Sequence, residues 1–68
     1  MRDPKRIEAI GRKFIDHWHE VPDWRLGQLM WNIIGYVTKR TGRDIFYIED
    51  DELMLLIDEF FNGFSEID

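Results

Sequence analysis

Apolar side chains recur at three- and four-residue steps in three separate stretches of this 68-residue chain, a spacing that predicts three amphipathic helices. In the first, Ile7, Ile10, Phe14, Trp18 and Val21 share one stripe. Asp3 followed by Pro4 reads as an N-cap with proline at the first helical position, and Pro22 ends the helix near Glu20, so residues 4–20 are expected to be helical. Gly11 falls on the edge of the stripe, where a missing side chain would admit a neighbouring helix. The second helix is expected over residues 24–40, capped by Asp23 and stopped by Thr41 and Gly42. Leu26, Leu29, Met30, Ile33 and Val37 form its main stripe. At about 100° per residue, Trp24, Gly27, Trp31 and Ile34 make a second apolar ridge roughly 110° around the helix. A helix apolar over so much of its circumference is expected to be buried on two sides, hence central. The third helix, residues 50–62, carries Leu53, Leu56, Ile57, Phe60 and Phe64 on its stripe with Met54 and Phe61 beside it, and Gly63 reads as its C-terminal stop.

Residues 43–49 are too short for a helix and too apolar for a solvated loop. Ile45, Phe46 and Ile48 are expected to pin this crossover to the core as an extended stretch. The fold class that results is all-α: one domain, residues 1–68, forming a compact three-helix bundle with a short aromatic crossover segment before the third helix.

Charge sharpens the topology. Up to Arg43 there are nine basic and five acidic side chains, a net +4; from Asp44 onward there are nine acids and no base, a net −9, giving −5 for the whole. In an up-down-up bundle the first and third helices run parallel. Arg2, Lys5 and Arg6 then meet Glu49, Asp50, Asp51 and Glu52, relieving bases that oppose their own helix dipole. Exposed pairs of this kind contribute only about 0–1 kcal/mol each, so they select the topology more than they stabilise it.

With 44% hydrophobic residues and ten aromatics, the chain has material for a core, and with no cysteine it has no disulfide or thiolate cluster to support one. No apolar run is long enough to span a membrane, and MRDPKRIEAIGR lacks the apolar segment of a signal peptide, so a cytoplasmic location is expected. The acidic balance argues against general nucleic-acid binding; Arg25, Lys39, Arg40 and Arg43 are the only bases the second helix could offer to phosphate, which keeps a nucleic-acid-binding regulator as a minority reading.

Catalytic and metal chemistry find little purchase. His17 and His19 lie about 200° apart on a helix, and neither has a histidine four residues on, so with Asp16, Glu20 or Asp23 they make only partial metal sites. The run Glu49-Asp50-Asp51-Glu52 lacks the alternating ligands and central glycine of a calcium loop. There is one serine, Ser65, and no glycine-rich phosphate loop; the carboxylates Glu52, Asp58 and Glu59 read as a solvated helix face. No enzyme, metal or cofactor is expected.

Contact surfaces are better supported. On the third helix Leu55 points away from the core stripe amid Asp51, Glu52, Asp58 and Glu59. It reads either as an ordinary exposed leucine or as an apolar anchor ringed by acids for a protein with a basic surface. The ridge of Trp24, Gly27, Trp31 and Ile34 reads either as internal packing or as a self-association face, which makes a homodimer the alternative.

The opening MRDPKRI, the middle PDWRLGQLMWNI and the closing DIFYIEDDEL together resemble a family of small uncharacterised proteins from bacteria and their phages, over residues 1–57. The resemblance implies a self-contained helical protein with an accessory role. That family has no established activity, so it assigns no site residue. Arg25 and Gln28 in RLGQL are its most function-like pair, and structurally they read as a salt bridge and a cap. The functional expectation is therefore a non-enzymatic protein–protein interaction module. Its acidic third helix would bind a basic partner, for instance as a phage-type inhibitor setting carboxylates where phosphates would sit. A homo-oligomeric structural protein using the Trp24/Trp31 face is the alternative.

Overall fold

The computed structural model describes residues 2–67, and their side chains as far as Gly63. Its elements are α1 (Arg6–Glu20), α2 (Leu26–Thr41), a single 3-10 turn (Ile45–Tyr47) and α3 (Asp50–Ile67). The chain is an all-α three-helix bundle with α1 parallel to α3, as the charge split predicts. Arg2 pairs with Glu49 at 2.7 Å, Arg6 with Asp50 at 2.7 Å and Lys13 with Asp58 at 3.0 Å, so contacts advance along both helices in the same direction.

The core sits where α2, the 3-10 turn and α3 meet. Leu29, Ile33 and Val37 of α2, Ile48 after the turn, and Met54, Leu56, Ile57 and Phe61 of α3 are buried. α1 contributes no fully buried residue; Ile10, Phe14, Trp18 and Val21 lean on the core as a half-buried lid. The four-residue spacing of Leu29, Ile33 and Val37 explains why a narrow stripe of α2 does this work.

Local chemistry moves several boundaries. Asp3 does accept a backbone hydrogen bond, from Lys5 N–H at 2.9 Å, but the first turn is tight, and α1 begins at Arg6. Asp23 does not cap α2. Trp24 N–H closes a turn onto Val21 C=O at 3.0 Å, with Pro22 at the turn's second position, where its fixed φ belongs. That turn delays the helix, and the cap is supplied by Gln28, whose Oε1 accepts from Arg25 N–H at 2.8 Å. Gly42 ends α2 with φ +70°, the left-handed cap the sequence suggests. Gly63 does not end α3, which runs on to Ile67; the expected place of Phe64 on the stripe lies outside the described side chains. Gly11 admits no close neighbour, since a Cβ built there meets nothing within 4 Å.

The crossover is a 3-10 turn rather than an extended stretch. Asp44 Oδ1 accepts from Phe46 N–H at 2.9 Å and starts it. At three residues per turn, Ile45 and Ile48 fall on the same side and face the core. Phe46, expected as a pin, is instead 81% exposed beside Tyr47, their rings meeting edge-on at 5.0 Å.

Two sides of α2 are not both covered. Trp31 is 76% exposed, and Met30, Ile34 and Leu26 lie partly open to solvent. Only Trp24 of the second ridge packs inward, its ring 6.4 Å from that of Phe60, while its carbonyl accepts from Trp18 Nε1 at 3.0 Å. The expectation of a central helix buried on two flanks is therefore corrected: three helices of this length enclose one side of α2 and leave its outer side bare.

Candidate functional site

Two surfaces compete as the place where this molecule acts, the acidic side of α3 and the outer side of α2. On α3 the acids are already engaged. Glu52 bonds to Arg43, and Glu59 Oε1 accepts from both Tyr36 Oη at 2.8 Å and Arg40 Nε at 2.9 Å. Those bonds hold the Glu59 carboxyl below its usual range, that from Tyr36 most, and the bond to Glu59 raises the Tyr36 phenol against the opposing influence of Arg40. Among the described residues, Asp51 is the member of this face without an ion pair; its Oδ1 accepts from Glu52 N–H. Leu55 stands out as expected, 69% exposed, beside a shallow depression that it shares with Tyr36, Asp58, Glu59 and Asn62. Arg40 and Arg43, two of the four bases considered for phosphate, are thus bonded to carboxylates of α3.

Asp58 belongs to a fastener between α1 and α3. One of its oxygens accepts from Lys13 Nζ at 3.0 Å; the other lies 2.6 Å from His17 Nε2. His17 Nδ1 lies 2.6 Å from Glu20, and the imidazole stacks on Phe61 with centroids 4.4 Å apart and planes 8° apart. With a carboxylate at each nitrogen, the ring needs two N–H donors, which only the imidazolium has. Burial lowers the His17 pKa, but the bonds to Asp58 and Glu20 outweigh it and leave it raised. Burial likewise pushes the Asp58 carboxyl up, and the bonds from His17 and Lys13 prevail and hold it below its usual range. His17 escaped the sequence reading because the spacing test applied to it was that of a metal site. The signal that finds it is different: Arg6, Lys13 and His17 recur along one flank of α1, a basic edge for an acidic neighbour.

A pH dependence follows. A raised folded-state pKa stabilises below the unfolded value, and that contribution is lost as pH rises through the folded one. A depressed carboxyl stabilises above its unfolded value and is lost as pH falls. Thermal melts are expected to show greatest stability from just above the ordinary carboxylate range to the ordinary histidine range, with a decline that begins there and is complete once the pH has passed the raised His17 pKa. A His17→Gln chain should lose that alkaline decline; if it keeps it, His17 is not the group responsible.

The outer side of α2 is of another kind. Residues 26–38 contain no charged side chain, in a chain that is 34% charged. Trp31 stands at the centre of this stretch and lines an open groove of about 440 Å³ together with Trp24, Asn32, Gly35, Tyr36 and Phe60. Of the proposed self-association residues, Trp31, Gly27 and Ile34 lie on the outer surface, while Trp24 reaches the groove from the core side.

No protein-family model, curated protein or solved structure matches the chain. No helix among the described residues is long and apolar enough to cross a membrane.

Proposed function

We propose that this chain is a non-enzymatic protein–protein interaction module and that its contact surface is the uncharged outer side of α2, centred on Trp31. The exposure of Trp31 carries the reading. An indole is among the most costly side chains to leave in water and among the commonest anchors of protein contacts. Here it is flanked by Met30 and Ile34, both partly exposed, with no charge within the surrounding stretch. The titratable clusters support the same reading from the other direction. Both nitrogens of His17 and both oxygens of Asp58 are committed to holding helices together, which leaves neither poised for acid–base chemistry.

The acidic side of α3 remains a second reading, favoured by the exposure of Leu55. Its attraction for a basic partner is reduced because Glu52, Asp58 and Glu59 are each neutralised by a cation of the same chain. Leu55→Lys and Trp31→Lys separate the two, since both residues are exposed and neither change removes a core contact. With the chain immobilised and presented with itself and with host proteins, Trp31→Lys is expected to abolish binding and Leu55→Lys to preserve it. The opposite pattern would move the contact surface to α3.

A further inference from the structure

The outer side of α2 offers a protrusion and a recess on the same patch. Trp31 is largely exposed, and one helical turn further on Gly35 lines, together with Trp31 itself, Trp24, Tyr36 and Phe60, an open groove. A patch that carries both halves of a contact is what a two-fold interface requires, because residue i of one copy meets residue j of the other and the reverse holds as well. In an antiparallel pair of α2 helices the four-residue step between Trp31 and Gly35 brings each indole over the glycine of the other helix.

Resting on the reading of this face as the contact surface, we propose that its occupant is a second copy of the chain. The two would pack antiparallel through α2, with Trp31 of each seated in the groove of the other. Charge sets the place at which two copies meet. A molecule of net charge −5 repels its own copies, and residues 26–38 form its one long uncharged stretch, so two copies meet there with least penalty.

Sedimentation equilibrium on the full chain over a micromolar range is the test, with Trp31→Lys and Gly35→Leu as variants and circular dichroism to establish folding. Trp31 is exposed and Gly35 has open space, so both variants are expected to keep the wild-type helical spectrum. Wild type is expected at about twice 8.3 kDa. Each variant should weaken association by about 30-fold or more, the loss typical of a central anchor. A wild type that stays monomeric at the highest concentration overturns the second copy as occupant. The contact-surface reading then survives only if Trp31→Lys loses a host protein that wild type retains, and it falls if the two capture the same set. A dimer that both variants leave intact overturns the proposal and that reading together.

Discussion

Phe61→Ala is expected to leave the chain largely unfolded at room temperature. Phe61 is one of the three most completely buried side chains, and it is the point where α3, the core and the His17 ring of α1 meet. Removing a buried phenyl ring costs about 3–5 kcal/mol in lost transfer free energy and residual cavity. A domain of this length has only roughly 3–10 kcal/mol of stability in total. The check is a urea titration followed by far-ultraviolet circular dichroism, with Leu55→Ala as the exposed control on the same helix. A Phe61→Ala chain that melts within 1 kcal/mol or so of wild type would mean that the core is centred elsewhere.

The second large effect is expected from Asp58→Lys. This change removes the acceptor of two charge-assisted bonds and sets a third cation against Lys13 and His17. Because the site is partly exposed, the loss is roughly 2–3 kcal/mol rather than that of a fully buried pair. α1 should detach first. It has no fully buried residue, so its hold on the core depends on half-buried contacts and on this line of pairs. Amide exchange should therefore accelerate across Arg6–Glu20 before it does in the core of α2. Uniform acceleration through all three helices would contradict this picture of α1. The same geometry bears on the reading of α3 as a binding face: an Asp58 variant that lost a partner would not distinguish a missing contact from a loosened fold.

The sequence carries the bundle openly and the contact surface only in part. Leu29, Ile33 and Val37 announce the inner side of α2 through their four-residue steps, and Leu56 and Ile57 do the same for α3; Met54 and Phe61, read as a flanking ridge, prove to be core, while Leu53 and Phe60 of the expected stripe are only half-buried. The meeting of Arg2 and Arg6 with Glu49 and Asp50 is legible because bases at a helix start need a compensating neighbour. Trp31 is not legible in the same way. Periodicity reports which residues share a side, not whether another element exists to cover it, and here there are too few helices to wrap α2 twice. Phe46 is misjudged for a local reason: the hydrogen bond to Asp44 makes a three-residue turn, and that turn exchanges the inward and outward positions of an extended chain. The cap of α2 shifts from Asp23 to Gln28 because Pro22 commits its neighbours to a separate turn first. His17 is recognisable only once α1 and α3 are set side by side, since its partner Asp58 is distant in sequence.

Glu49, Asp50, Glu52, Asp58 and Glu59 are each paired with a cation inside the fold, whereas the outer side of α2 presents an uncharged stretch with Trp31 at its centre. Hydroxyl-radical labelling of the three tryptophans, read by mass spectrometry over a dilution series, tests this most directly. At high dilution Trp31 is expected to react faster than Trp18 and Trp24, and its labelling should fall toward theirs as concentration rises. If Trp31 is as protected as the other two in the most dilute sample, the lone chain already buries it, and the account is contradicted.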